Sequence, residues 1–164
     1  MCIRDSDKAT VIGGYAARFN SRSRDLGGFQ EIILPGAFAA SITGDRDIRA
    51  LMSHDPDKLL ARTSNKTLRL WEDERGLRFE AEVPDTSYGR DLLALVKRGT
   101  VSQCSFGFRV TDPANETFTQ DGQTIIRTLR AVELHEVSIV ATPAYDATSV
   151  AIRIDPAVMS LSLI

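Results

Sequence analysis

The sequence predicts a mainly β fold with helices attached (α+β), a β-barrel carrying peripheral helices. Three observations predict it. Short segments of period-two apolar alternation recur along the chain and are separated by turn residues. Only one segment has the length, caps and apolar face of a good helix. The chain of 164 residues, with 43% hydrophobic and 26% charged side chains, is the size and make-up of one domain with its own core.

The elements follow in order. Thr10 to Phe19 is β-rich, with Gly13 and Gly14 marking a bulge or bend. A Ser-, Arg- and Gly-rich loop runs from Asn20 to Gly28, and Phe29 to Leu34 is a short strand. Pro35 to Ile42 reads as a short helix with proline near its start. Asp47 to Met52 is a short apolar run ending at Ser53-His54-Asp55-Pro56, where Pro56 keeps Asp55 out of helical geometry. Strands are expected at Leu59 to Thr63, Thr67 to Glu72 and Leu77 to Val83. The last two form a half-buried hairpin, since Leu77, Phe79, Ala81 and Val83 alternate with Arg78, Glu80 and Glu82.

Asp85 to Gly99 is the helix. Asp85, Thr86 or Ser87 supplies its cap, Gly99 its stop, and Lys97 and Arg98 suit the negative end of its dipole. Val101 to Val110 is a strand. Thr117 to Thr119 and Thr124 to Leu129 form a hairpin about Asp121-Gly122. Val132 to Ala141 is a strand stopped by Pro143, and Ser149 to Ile154 is one more short strand. Residues 1–9 are expected to be a disordered lead and 155–164 a C-terminal tail.

Composition excludes several classes of function. The net charge is -2, with 20 basic and 22 acidic side chains, and no basic stripe of the kind a nucleic-acid binder shows. Arg18, Arg22 and Arg24 cluster, but Asp25 and Glu31 follow, so the cluster reads as a solvated loop. The two cysteines, Cys2 and Cys104, make neither a disulfide framework nor a metal-ligand spacing, and they suit a cytosolic, reducing setting. No apolar stretch is long enough to span a membrane, and the polar start is unlike a signal peptide. Phosphate-binding glycine loops, metalloprotease and C-x-x-C motifs are all missing, so no cofactor and no metal are expected. The α/β-hydrolase elbow is missing too.

Chemistry is left to few residues. Histidine is the commonest base near neutral pH, and the chain has two, His54 and His135. His54 lies at a polar strand end, where a scaffold presents side chains to a cleft; the bland alternative is a surface histidine in a turn. Ser105 shares a strand face with Gln103, Gly107 and Arg109, while Cys104, Phe106 and Phe108 take the core face. Gly107 would let another chain's backbone approach. On its own Ser105 reads as a solvent-facing serine, because nothing local activates it. The segment from Glu133 to Val140 offers Glu133, His135 and Glu136 as partners for an imidazole. Glu133 and His135 point one way along a regular strand and Glu136 the other, so periodicity does not choose between them.

The chain resembles the prohead proteases of tailed bacteriophages, which are distant structural relatives of herpesvirus assemblin. The resemblance runs in order from about Gly13 to Arg153. It is carried by GYAARFN, EIILPGAFAASI, ALMSHDPDKLLART, GLRFEAEVPDTSYGRDLLALVKRG, VSQCSFGFRV and LHEVSIVATPAYDATSV. Cys104 departs from the pattern, standing where relatives often carry Met, a soft apolar exchange. The resemblance implies a closed, herpesvirus-protease-like barrel of about six to eight strands with peripheral helices, occupying residues 10–154 as the protease domain. It implies a serine endopeptidase with His54 as base, Ser105 as nucleophile and Glu136 as third member, Glu133 and His135 being the alternatives. It further implies the major capsid protein and scaffold as protein substrates, with self-cleavage, inside the prohead in the cytoplasm of the infected bacterium. Homodimers, as in assemblin-like enzymes, are the implied assembly, with no nucleic-acid and no membrane partner. The competing reading is an inactive barrel serving as a capsid-assembly or scaffold-binding module.

Overall fold

A computed structural model describes residues 10–153. The expected lead over 1–9 and tail over 155–164 lie outside the described residues. The chain forms β1 (Thr10–Arg18), β2 (Phe29–Ile33), α1 (Ala39–Thr43), β3 (Arg49–Met52), β4 (Asp55–Arg62), β5 (Leu68–Glu72) and β6 (Gly76–Val83). There follow α2 (Ser87–Lys97), β7 (Gln103–Arg109), a short 3-10 turn at Pro113–Asn115, β8 (Glu116–Asp121), β9 (Thr124–Leu129), β10 (Glu133–Val140) and β11 (Ala151–Arg153). The fold is mainly β with few helices, as expected.

Eleven strands fall into three sheets among the described residues, in the orders β11-β1-β6-β5, β4-β3-β10-β7 and β2-β9-β8. None of the three closes on itself, so ladder hydrogen bonds alone do not make the expected barrel. The two four-stranded sheets instead share one core. Ile12, Leu77 and Phe79 come from the first sheet, and Ala50, Phe106, Leu134, Val137 and Ile139 from the second. The segment before β11 stitches the sheets together: the Ser149 amide donates to the Tyr15 carbonyl at 3.0 Å and the Val150 amide to the Ser102 carbonyl at 2.9 Å. Gly14 permits this approach, because a Cβ there would lie 2.0 Å from the Ser149 carbonyl oxygen. The irregularity expected at Gly13 and Gly14 falls slightly later, as a bulge between Tyr15 and Ala17.

The β5–β6 hairpin and its alternation stand as expected, with Leu77, Phe79, Ala81 and Val83 buried. In α2, the Thr86 hydroxyl accepts from the Gly89 amide at 3.1 Å, and Gly99 (φ +76°) follows the last turn. Leu92 and Val96 carry its buried stripe. The first helix is shorter and later than expected, because the turns after Pro35 do not yet make helical bonds. Strand β4 starts earlier, at Asp55, and includes Pro56. It is an edge strand, where a residue without an N–H leaves no ladder bond unmade. Of the three arginines, Arg22 and Arg24 lie exposed in the first loop, as expected, and pair with Asp121 and Asp146, whereas Arg18 ends β1 with its guanidinium 4.2 Å from the Tyr15 ring centroid.

Candidate active site

The second sheet positions the site. Its middle strands are β3 and β10, which run parallel, and β10 pairs antiparallel with β7. Cross-strand partners share a face. Ser105 of β7 stands opposite Ser138 of β10, and Gly107 stands opposite Glu136. These four positions therefore line one face. The other face carries Cys104, Phe106 and Phe108 against Ile139, Val137 and Leu134, and it is the core. Burial pushes the Cys104 thiol far above its ordinary pKa. Although adjacent to Ser105 in sequence, it is held as a protonated, inward side chain.

His54 reaches this face by a two-residue turn. Met52 pairs with Asp55, so Ser53 and His54 form the tip of the β3–β4 hairpin. Both have positive φ, +54° and +58°, which a tight turn matching the strand twist requires. The turn is held on β10. The Ser53 amide donates to the Ile139 carbonyl at 3.0 Å, and the His54 amide donates to the Ser138 hydroxyl at 3.0 Å. His54 lies where strand β3 gives way to a turn, as the sequence suggests; the turn is the tip of a hairpin, because the next strand begins at Asp55 and takes in Pro56. Left-handed backbone at two non-glycine residues is costly and persists where surrounding bonds over-determine it.

The His54 ring lies back over the sheet, with Nδ1 in hydrogen-bond contact with Glu136 Oε1. The other carboxylate oxygen, Oε2, accepts from the Ser138 hydroxyl at 2.7 Å. The Glu136 side chain is 15% exposed, Ser105 is 8% exposed and Ser138 fully buried, while the His54 ring is 45% exposed. The geometry is thus a partly covered carboxylate behind an accessible imidazole. Among the described residues no hydrogen bond runs directly from Ser105 to the His54 ring; Ser138 stands between them, opposite Ser105 and bonded to the His54 backbone. Hydrogen bonds between such groups are often long before a substrate is bound.

Glu133 and His135 lie elsewhere. A bulge between Leu134 and Glu136 places His135 outside the ladder. It changes the strand's parity, so Glu133 comes to the same face as Glu136, contrary to the alternation expected of a regular strand. Glu133 does not meet His54. Its Oε1 receives Arg46 at 2.8 Å, Arg109 at 3.3 Å and His135 Nε2 at 3.2 Å. Gly107, expected to admit another chain's backbone, admits a side chain instead: a Cβ there would lie 2.7 Å from Glu136 Oε1. Ser138 carried no signal in the sequence beyond being a polar residue within an apolar run. A cleft of about 540 Å³ bordered by Arg46, Asp47, Leu70 and Trp71 includes none of His54, Ser105, Glu136 and Ser138, so the site is an open face rather than that cavity. Among the described residues no group of His, Cys, Asp and Glu converges as a metal would require, and no helix is long and apolar enough to cross a membrane.

An imidazole whose Nδ1 contacts a carboxylate keeps Nε2 for a proton, and a serine on the same sheet face is the type of group that gives one. Comparison with curated proteins finds no match. Among solved structures, the varicella-zoster virus protease is similar, with a TM-score of 0.51 and 14% identity, over 91% of this chain and 66% of that one. The chain thus spans just under two thirds of that structure's length, and the likeness concerns the fold. A family model described as caudovirus prohead serine protease matches residues 1–159. By that match, which takes in the whole of the sheet bearing His54, Ser105 and Glu136, the chain belongs to the caudovirus prohead serine proteases, a family of serine peptidases.

Proposed function

We propose that the chain is a prohead endopeptidase that cleaves peptide bonds by acyl transfer, with Ser105 as nucleophile, His54 as general base and Glu136 as the carboxylate that orients the imidazole. The observation that carries the reading is the contact of Glu136 with His54 Nδ1 on the sheet face that also bears Ser105. A carboxylate accepts only, so Nδ1 donates, and Nε2 is left with its lone pair. Nε2 takes the Ser105 proton as Oγ attacks the carbonyl carbon, and the imidazolium returns it to the leaving amine. Glu136 offsets the charge formed in between. Water then repeats the sequence on the acyl-enzyme and frees Ser105.

Residues 10–154 are read as the protease domain. Its two four-stranded sheets are read as the walls of an assemblin-type barrel, closed by side-chain packing and by the 148–150 segment. Family membership supports capsid proteins as the substrate class: scaffold or the scaffolding segment of the major capsid protein, and the protease itself, within the prohead. A homodimer is the assembly proposed by analogy. The competing reading, an inactive barrel acting in capsid assembly, is disfavoured by the joint presence of His54, Ser105 and a carboxylate on the imidazole. Co-expression with the capsid protein tests the choice. Ser105→Ala is expected to fold and to leave the capsid protein uncleaved; continued processing by the purified variant would remove Ser105 from the mechanism.

A further inference from the structure

We infer that Ser138 is a positioning residue of this site, one hydroxyl that fixes both the His54 turn and the Glu136 carboxylate. The inference rests on the catalytic reading above and adds a fourth side chain to it. Ser138 is fully buried in the run Val137-Ser138-Ile139-Val140, whose other members are apolar. A hydroxyl at such a position is costly unless hydrogen-bonded. Its bonds go to the two partners of the proposed proton relay: it accepts from the His54 amide at 3.0 Å and donates to Glu136 Oε2 at 2.7 Å.

The direction of these bonds is not free. The His54 amide has only a hydrogen to give, so the Ser138 oxygen accepts there. Its own hydrogen is then available to Glu136 Oε2, the acceptor at 2.7 Å. With Oε2 engaged, Oε1 faces Nδ1 of His54. The same hydroxyl therefore sets the backbone of the base, the rotation of the carboxylate and, through it, the tautomer that leaves Nε2 with its lone pair. Ser138 also stands opposite Ser105 in the β7–β10 ladder, so its anchoring is measured from the nucleophile's own cross-strand partner. Its hydrogen bonds go to the His54 amide and to Glu136 Oε2, so it acts through those two residues.

The test has two arms on the full chain. In a Ser105→Ala background, which prevents self-cleavage, the His54 Nδ1–H proton is observed by NMR. It is expected as a slowly exchanging downfield resonance that Ser138→Ala abolishes and Ser138→Thr restores. With Ser105 intact, labelling by a fluorophosphonate is expected to lose about 100-fold in kinact in Ser138→Ala at unchanged KI, the scale of a small misplacement of reacting groups. A purely structural serine would lower stability and move neither signal. Should Ser138→Ala fail to fold, Ser138→Cys, of similar volume and weaker donor strength, carries the same two readouts. An unchanged Nδ1–H resonance with unchanged kinact would overturn the inference while leaving Ser105 labelled and the catalytic reading intact. Absence of labelling in the wild-type chain would instead strike the catalytic reading, with the NMR arm still reporting on Ser138.

Discussion

The carboxylate of Glu136 fills the space that a side chain at Gly107 would need. The two are cross-strand partners, and a Cβ at residue 107 would lie 2.7 Å from Oε1 and 3.1 Å from Cγ. Glycine at this point of β7 is therefore a condition for the carboxylate to stand where it meets the His54 ring.

Gly107→Ala is expected to push Glu136 off His54 without unfolding the sheet, since the core face of β7 is untouched. Turnover should fall by about 100-fold. Peptide-cleavage kinetics alongside thermal denaturation check this; full activity in Gly107→Ala would mean that Glu136 need not sit where it does.

The three acidic and imidazole candidates on β10 separate by substitution. Glu136→Gln keeps the shape but offers Nδ1 a different partner, and kcat should drop on the order of 10³–10⁴-fold, as expected when an orienting carboxylate is lost. Glu133→Gln and His135→Ala act on a cluster with Arg46 and Arg109, and each should change kcat by less than about tenfold. A ranking with Glu133 or His135 above Glu136 would transfer the role.

Tyr145 and Glu31 give a prediction about stability away from the site. The Tyr145 hydroxyl donates to the buried Glu31 carboxylate at 2.6 Å, and Arg127 reaches its other oxygen at 3.1 Å. Burial pushes the Glu31 carboxyl above its ordinary range, with the two donors opposing. Its folded pKa is raised, so the folded state loses stability as pH rises through it. Tyr145→Phe removes a donor that matters to the ionised form, at a cost of about 1–3 kcal/mol. Urea denaturation should show the deficit growing from acid to neutral pH; a deficit independent of pH would mean that the lost bond is not coupled to Glu31 ionisation.

Asp47 shows the opposite sign. Hydrogen bonding from Arg62 holds its carboxyl down at about 2, against an ordinary 3.8. A depressed folded pKa gives stability that is present above pH 3.8 and lost as pH falls toward 2. Asp47→Asn should lower the melting temperature at neutral pH, with the gap to wild type closing across that interval. Parallel melting curves at every pH would contradict the pairing.

Much of this was legible in the chain. Alternation from Leu77 to Val83 announces one buried strand face, and the same period assigns Cys104, Phe106 and Phe108 to the core and Ser105 to the opposite face. Thr86 and Gly99 bracket the helix through capping chemistry, which is local and so visible in sequence. Pairing His54 with Ser105 came from resemblance, because no local rule relates residues fifty-one positions apart.

What the sequence determined by itself is the list of strands, the faces of those that run without a bulge, and the few side chains able to move protons. Only the tertiary structure decided which of those meet. The bulge at His135 inverts the strand's parity and sends Glu133 to Arg46 and Arg109, leaving Glu136 for His54. The two positive-φ residues at the hairpin tip swing the imidazole back over β10, and Ser138 holds it there. The physical reason is one of range. Periodicity and caps depend on neighbours within a turn or a strand. Bulge position, parallel pairing of β3 with β10, and the meeting of side chains across a sheet depend on how the whole core packs.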